Sequence, residues 1–224
     1  MVKRYLMTHS LLSSWLYVLR ENPYEDATTE RDPMAEFMQT LRREPTPTTE
    51  AMQKGIDFED LTTAILTGQQ TVQWHERDFK TKEVREVLVP VKEHKWLEPA
   101  NAVTDIIRGG QLQYRARKLI RVGTMDLVLY GRLDALKAGT VYDIKFSGKY
   151  ERGKYTDSTQ HPVYLELIPE ADAFTYLVSN GTELWTETYR REETRDIEPI
   201  IYDFLDWLYC MGLMDLYREK WLTK

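Results

Sequence analysis

Residues 111–146 constrain the fold most, because the whole stretch favours one kind of secondary structure. It is rich in leucine, isoleucine, valine and tyrosine, and glycines interrupt it at positions 123, 131 and 139. Apolar, β-branched runs bounded by glycine are typical of strands. We therefore predict strands at about 112–122, 125–136 and 140–146, with a short turn at 137–140. A further strand pair, 174–179 and 183–190, is predicted around Asn180-Gly181, a strong hairpin signal.

Helices are predicted on both sides of these strands. The first follows Thr8, behind which apolar residues recur at helical spacing. Residues 74–98 show the same spacing, although Pro90 makes a continuous helix doubtful. The proline-bracketed segment 22–33 is predicted to be a loop. The other predicted helices lie at about 34–43, 49–66, 102–107 and 159–168, and from 197 onward.

This order of elements predicts one mixed α/β (α+β) domain. A chain of 224 residues with 42% hydrophobic content is long and apolar enough to form a single sizeable core. Within the domain we expect a mainly helical part at 1–110, a β-rich core at 111–192 and a C-terminal helix at 193–224.

Composition excludes several classes of protein. The net charge of −6 argues against a protein that coats nucleic acid, so any such contact must be a local patch. Cys210 is the single cysteine, which excludes an internal disulfide, a zinc knuckle and an iron–sulfur cluster. No apolar run reaches the roughly 20 residues that span a bilayer. We expect a cytoplasmic protein without membrane contact; its oligomeric state is not determined by the sequence.

Three residues of the β-rich block form a candidate site. Asp143 and Lys145 are two apart on a predicted strand, so their side chains share a face. Asp134 lies near the end of the preceding strand, and the short turn brings it back towards Asp143. Two close carboxylates repel unless a cation lies between them, and oxygen ligands favour Mg²⁺ or Mn²⁺. Alternatively, Asp143 and Lys145 are ordinary solvent-facing partners on an edge strand.

Glu59 is the candidate third acid. A projection of the helix at 49–66 places Glu59 on a seam with Met52 and Ile56, and places Asp57 and Asp60 on the polar side. An inward-facing glutamate suits a metal ligand. The alternative is a partly exposed acid at the margin of the apolar stripe.

These residues resemble the motifs of the PD-(D/E)xK nuclease superfamily, most closely its RecB-like and phage-exonuclease branch. The resemblance covers about residues 50–190. It rests on Gly131-x-x-Asp134, then Asp143-Ile-Lys145, then Gln160-x-x-x-Tyr164 on a following helix. The family implies a restriction-endonuclease-like core, in which helices flank a central mixed β-sheet, with a helical N-terminal elaboration.

The resemblance also implies roles for individual residues. Metal ligation would fall to both aspartates, to the main-chain carbonyl of Ile144 and to Glu59, which lies in a Gly55-x-x-Phe-Glu setting like the acid or histidine of the family's leading helix. Lys145 resembles the catalytic lysine. Gln160 resembles the glutamine that steadies the site, and Tyr164 shares its helix face. The four cysteines of cluster-bearing members and the helicase phosphate-binding motif are absent.

Two basic stretches could contact a nucleic acid. The loop after the lysine interleaves basic residues with tyrosines, so its cations could pair with phosphates and a tyrosine could stack on a base. A charged surface loop without a ligand is the alternative. The stretch that contains Arg115, Arg117, Lys118 and Arg121 is predicted to be a solvated strand face. The loop residues expected at the substrate are Lys149, Arg152, Lys154 and Tyr155.

The sequence therefore predicts Mg²⁺- or Mn²⁺-dependent hydrolysis of DNA. The resemblance favours an exonuclease over an endonuclease, in phage or host recombination and repair, with a recombinase or single-strand-binding protein as a candidate partner. One alternative is a non-catalytic DNA-binding or protein-binding module on the same fold. Another is a metal-dependent hydrolase of a different phosphate-bearing substrate.

Overall fold

The computed structural model describes residues 3–20, 32–77 and 83–223. Runs of helices and runs of strands follow one another along these ranges, and short 3-10 turns at Val91–Glu93 and Arg191–Glu193 follow two of the strands. The helices are α1 (His9–Leu19), α2 (Pro33–Leu41), α3 (Glu50–Thr67), α4 (Leu97–Ile107), α5 (Gln160–Leu167), α6 (Glu198–Cys210) and α7 (Met214–Lys220). The strands are β1 (Arg4–Met7), β2 (Thr71–Arg77), β3 (Val84–Pro90), β4 (Gln111–Val122), β5 (Met125–Lys137), β6 (Thr140–Phe146), β7 (Ala173–Ser179) and β8 (Leu184–Arg190).

The central sheet has six strands and is mixed. β4 pairs antiparallel along nearly the whole of β5. The other edge of β5 is therefore shared, with β1 parallel to it at Asp126–Leu129 and β6 antiparallel to it at Ala135–Lys137. β7 continues the sheet parallel to β6, and β8 closes it antiparallel to β7. The parallel step from β6 to β7 requires a crossover, which contains α5.

Helices flank this sheet, and the apolar side chains form two clusters. The larger cluster joins the sheet to α1, α2, α5, α6 and α7, and includes Tyr164 and Phe204. The smaller one joins the sheet to α3, α4 and the β2–β3 hairpin, and includes Phe58 and Trp96. The expected mixed α/β fold, a central mixed sheet flanked by helices, is thus confirmed. None of the described helices is both long enough and apolar enough to cross a membrane.

Several predicted helix ends are confirmed by their capping groups. The hydroxyl of Thr8 accepts a hydrogen bond from Leu11 N at the start of α1, and that of Thr49 accepts one from Met52 N at the start of α3. Such caps satisfy backbone N–H groups that the first turn leaves free. Gly68 ends α3 in the left-handed conformation, at φ 70°.

The helical prediction for residues 74–98 was wrong. Most of this segment is the β2–β3 hairpin, followed by a 3-10 turn and the start of α4. Val72 and Trp74 alternate with exposed neighbours, which is strand periodicity, whereas Leu88 is 74% exposed and belongs to no buried stripe. The helical spacing of its apolar residues was coincidental, because tertiary packing on α3 selects the other pattern.

Two other parts of the chain differ from expectation. The N-terminal part is less helical than predicted, since it also contributes β1, a short strand that the sequence did not reveal. The C-terminal region forms two helices, α6 and α7, because Gly212 turns the chain between them at φ 68°. The predicted loop at 22–33 lies almost wholly outside the described residues; its last two, Asp32 and Pro33, cap and begin α2.

Gly131 allows α5 to pack directly on β5. A Cβ atom built on Gly131 would lie 2.3 Å from the Tyr164 ring and 2.9 Å from Leu167. We expect Gly131→Ala to lower the free energy of unfolding by about 1–3 kcal/mol, because the buried ring must shift. Urea denaturation followed by tryptophan fluorescence measures this change. Gly148→Ala is the matched control, since nothing lies within 4 Å of its built Cβ; equal losses in both variants would contradict the packing argument.

Candidate active site

The site lies where β5 and β6 separate. Their ladder ends at the pair Ala135–Tyr142, so Asp134 and Asp143 are the first residues beyond it. β6 remains paired with β7 as far as Phe146. The pairing of β5 is also interrupted on its other side, where Gln113 of β4 has φ 50° and is skipped opposite Asp134. The two acids thus flank a fork in the sheet.

Side chains bind the backbone groups that the fork leaves unpaired. Oδ2 of Asp134 accepts a hydrogen bond from the N–H of Ile144 at 2.8 Å. The hydroxyl of Tyr164 donates to the carbonyl of Arg132 at 2.9 Å. Buried backbone polar groups need such partners, so both side chains help to keep the fork open. Tyr164, which the resemblance placed in the site, is itself 4% exposed and acts on β5.

Asp143 is buried and has two different oxygens. Oδ1 accepts a short hydrogen bond, 2.5 Å, from Nε2 of Gln160 at the start of α5. Oδ2 lies 2.8 Å from Nζ of Lys145, but it accepts no well-directed hydrogen bond within the described part of the chain. Oδ2 and Nζ still attract each other as an ion pair, because charge attraction depends little on direction. One oxygen is therefore fixed, and the other faces charge alone.

Glu59 belongs to the same electrostatic group. Burial and the charge of Asp143 raise the pKa of Glu59, while Lys145 and Arg132 act in the opposite direction. The face assigned to its helix was nevertheless wrong. Met52 and Ile56 are 50% and 45% exposed, whereas Asp57, expected on the polar side, is 2% exposed.

Asp57 can face inward on α3 because two polar side chains offset the cost of its burial. Its Oδ1 lies 2.7 Å from Nδ1 of His75 on β2 and 3.0 Å from Nε2 of Gln53. With these partners the carboxylate can turn inward beside Phe58 and Leu61. Glu59 lies at the margin of this buried face, half-buried, which the sequence had kept as its alternative.

Burial and repulsion among the acids together determine the electrostatics of the site. Burial, Asp143 and Glu59 together raise the pKa of Asp134 to about 8, against a smaller opposite effect of its bond to Ile144 N. Burial alone would lower the pKa of Lys145, but the carboxylates of Asp143 and Asp134 outweigh it and raise that pKa. The lysine is therefore held as a cation beside the carboxyl groups of Asp143 and Asp134.

The donor set has the chemistry of a site for a hard divalent cation. Carboxylate oxygens are what Mg²⁺ and Mn²⁺ prefer. Oδ2 of Asp143 accepts no hydrogen bond in the described part of the chain and so has a lone pair for a ligand. A bound cation would also lower the raised pKa of Asp134. Within the described ranges, however, no three His, Cys, Asp or Glu side chains are close enough to hold a metal ion. The carboxylates would have to move together to share one.

His9 is a neighbour of the site that the sequence did not indicate. Its ring lies 5.5 Å from that of Tyr164. Burial and the charge of Lys145 lower the pKa of His9 to about 3, so its imidazole is neutral. Its carbonyl accepts a hydrogen bond from the hydroxyl of Thr159, next to Gln160. The spacing in α1 predicts a helix but not where it packs, so only the tertiary structure places His9 here.

The basic loop divides into exposed and inward-facing residues. Lys149 and Arg152 are exposed and line a cavity of about 350 Å³ with their neighbours. Lys154 is exposed too, but its Nζ donates to Ser147 Oγ and to the carbonyl of Lys149, at 2.8 and 3.1 Å. Tyr155 is half-buried and stacks on Tyr176 at 4.3 Å. Lys149 and Arg152 are thus exposed beside the cavity, whereas Lys154 also binds other atoms of the loop.

Glu187 on β8 organises this loop. It accepts hydrogen bonds from the Tyr150 hydroxyl at 2.5 Å, from Gly153 N at 3.2 Å, from Tyr155 N at 3.3 Å and from the hydroxyl of Tyr189. Burial tends to raise the pKa of Glu187, but these bonds outweigh it and lower that pKa. A buried carboxylate therefore anchors the loop through hydrogen bonds from two tyrosine hydroxyls and two backbone N–H groups.

The raised pKa of Asp134 predicts how stability depends on pH without metal. Because the folded protein holds this proton more tightly than the unfolded chain, the contribution of Asp134 to stability is fully present below about pH 4 and is lost as pH rises through about 8. Asp134→Asn keeps an acceptor for Ile144 N and has no charge to bury. We expect this variant to be more stable than the wild type at pH 8 in EDTA, by a few kcal/mol. Urea denaturation across this pH range measures the difference.

The exposed Asp203 of α6 provides the control, as Asp203→Asn. We expect it to keep the wild-type pH profile. Added Mg²⁺ should stabilise the wild type more than Asp134→Asn, because only the wild type has the buried charge to offset. Identical pH profiles for the wild type and Asp134→Asn would show that the pKa of Asp134 is not raised by folding.

Comparisons with known proteins assign no family to this site. No protein-family model matches the chain, and no curated protein matches it. Among solved structures, the chain is similar to the crystal structure of SSO0001, with a TM-score of 0.40 and 18% sequence identity. The match covers 50% of this chain and 56% of that one. A similarity this low transfers no function, so the function must be inferred from the residues of the site.

Proposed function

We propose that the protein is a metal-dependent deoxyribonuclease of the PD-(D/E)xK type. The observation that carries the proposal is the fork of β5 and β6, which brings Asp134 and Asp143 together beside Lys145. These three groups lie 11 residues or fewer apart in sequence. They offer two carboxylates for a metal ion and a cation for the phosphate, which suits metal-assisted phosphodiester hydrolysis. Gln160 on α5 adds the fourth element of the resemblance, since it fixes Asp143.

The residues divide the chemistry among them. Asp134, Asp143 and the carbonyl of Ile144 would hold Mg²⁺ or Mn²⁺, with Glu59 as a further ligand. A bound divalent ion supplies Lewis acidity at the phosphate. Lys145, kept charged by its carboxylate neighbours, orients the attacking water and offsets the negative charge that develops on the phosphate.

Gln160 and Tyr164 act as positioning residues. The amide of Gln160 leaves only one oxygen of Asp143 available. The hydroxyl of Tyr164 holds the β5 backbone two residues before Asp134. Lys149 and Arg152, exposed beside the site, would contact the phosphates of the substrate.

The finer parts of the proposal follow from the family resemblance. An exonuclease is favoured over an endonuclease, acting in the cytoplasm in phage or host recombination and repair. A recombinase or a single-strand-binding protein is the partner class that such a role implies.

A non-catalytic DNA-binding or protein-binding module is the second candidate, and one observation favours it. Asp143 and Lys145 already form a close ion pair, and the acids are not grouped for a metal within the described residues. A fold that had lost its metal could be stabilised by such a pair. The high pKa of Asp134 speaks against this reading, since an acid without a role would be costly to keep buried.

A cleavage assay separates the two candidates. End-labelled linear duplex, single-stranded and closed circular DNA are incubated with the protein in Mg²⁺, Mn²⁺ or EDTA. We expect metal-dependent cleavage by the wild type. Asp143→Asn and Lys145→Ala should reduce the rate by about 100-fold or more, because each removes a group that acts on the transition state. The exposed Lys92→Ala is the matched control and should cleave normally.

The pattern of products decides the finer points. Cleavage of linear but not circular DNA supports an exonuclease, and cleavage of both supports an endonuclease. Binding of DNA without cleavage in any metal supports the non-catalytic module. Equal rates for the wild type, Asp143→Asn and Lys145→Ala would contradict the assignment of the site.

A further inference from the structure

A second group of charged residues lies on β4 and β5, outside the proposed chemistry. Arg115 and Arg117 are two residues apart on β4, and both are exposed. Residues at this spacing on a strand point to the same face. Arg132 of β5 is also exposed and lies directly opposite Arg115 in the ladder. Arg115, Arg117 and Arg132 are called the arginine face below.

The arginine face points away from α5, and its three side chains are exposed. On β4, Ala116 is buried and Lys118 forms an ion pair with Glu166 of α5 at 2.6 Å, so these alternate positions point towards the helix. On β5, a Cβ built on Gly131 would meet the ring of Tyr164, also in α5. Because side chains alternate along a strand, the arginines on both strands point away from α5.

The charges on this face are compensated only in part, through the interaction of Arg132 with Glu59. Directly opposite residues on antiparallel strands have Cβ atoms about 4.5–5.5 Å apart, and like charges in such pairs are destabilising. Arg115 and Arg132 form such a pair. Among the residues that the structure describes, none of the three arginines forms an ion pair with a carboxylate. In a chain with a net charge of −6, this local excess of positive charge needs an explanation other than the overall composition.

Protection of the sheet edge does not explain the excess positive charge on the arginine face. Charged residues on an outer strand prevent strands of other molecules from pairing with it, which could account for Arg115 and Arg117 on β4. Arg132 lies on β5, which has neighbours on both sides. Edge protection predicts no charge there, and it predicts no pairing of two arginines across a ladder.

The arginine face also adjoins the fork. Arg132 is two residues before Asp134, and its charge acts on Glu59, which in turn interacts with Asp143 and Lys145. Tyr130 lies opposite Arg117 on the same face and is half-buried. Arginine pairs with phosphate in a bidentate manner, and a tyrosine beside such a pair can stack on a base.

We propose that the arginine face binds the phosphate backbone of a DNA strand and leads that strand to the fork between β5 and β6. Two residues along β4 advance about 7 Å, so Arg115 and Arg117 can contact successive positions of one backbone. Arg132 would hold the part next to Asp134. This inference deepens the proposed function. It rests on that function for the claim that the bound DNA strand leads to the fork.

A binding experiment without metal tests the inference independently of cleavage. Fluorescence anisotropy of labelled single-stranded and duplex DNA is measured in EDTA over a range of salt concentrations. Removal of three phosphate contacts should weaken binding by about tenfold or more at low salt, and should reduce the slope of log K against log salt by about 2 for a single strand. The test variant is Arg115→Gln, Arg117→Gln, Arg132→Gln.

The matched control removes the same charge elsewhere. It combines Arg42→Gln, Arg85→Gln and Arg190→Gln, of which the last two lie on the outer strands β3 and β8 and all three are exposed. We expect wild-type affinity and slope in this control. A variant with lysine at positions 115, 117 and 132 should recover most of the salt dependence, because it keeps the charge. Thermal unfolding of each variant confirms that it is folded.

The outcomes separate this inference from the proposed function. Weaker binding and a smaller slope in the test variant alone support the arginine face, even if the wild type cleaves no DNA. Equal losses in the test and control variants overturn it, as does wild-type binding by the test variant. If the wild type binds neither DNA in EDTA, the inference is overturned, whereas metal-dependent cleavage would still support the nuclease.

Discussion

The separation of β5 from β6 is the constraint on which the rest of the site depends. A regular ladder would have continued past Ala135 and Tyr142 and would have bound the N–H of Ile144 to backbone. Instead, Asp134 binds that N–H, and its carboxylate is buried within the field of Asp143. Burial and the charge of Asp143 therefore disfavour the ionised form of Asp134, next to Lys145. A bound cation is the simplest partner that would stabilise both ionised carboxylates.

Neighbouring elements keep this arrangement in place by short polar contacts. α5 contributes most, because Gln160 fixes Asp143 and Tyr164 fixes the backbone of β5. Gly131 makes that contact possible, since any larger residue would push α5 away from the strand. On the other side of the site, Glu187 holds the basic loop by hydrogen bonds. The site is thus built on strands and a helix, and its loop is anchored.

Much of the fold could be predicted from local patterns. The three strands of residues 111–146 and the hairpin at Asn180 were predicted nearly to their ends, because glycines and turn residues bound them clearly. The caps at Thr8 and Thr49 marked two helix starts. The hairpin β2–β3 was missed, because its valines happen to fit a helical spacing as well as a strand. Only its packing against α3 decides between the two.

The sequence by itself determined which groups share the site from β5 and β6, since strand alternation and a short turn bring Asp134, Asp143 and Lys145 together. It did not determine what comes from distant segments. The face of α3 was decided by the Asp57–His75 pair, the placement of His9 by the packing of α1 on α5, and the arginine face by the register of β4 on β5. These depend on contacts between residues far apart in the chain, and no local pattern encodes them.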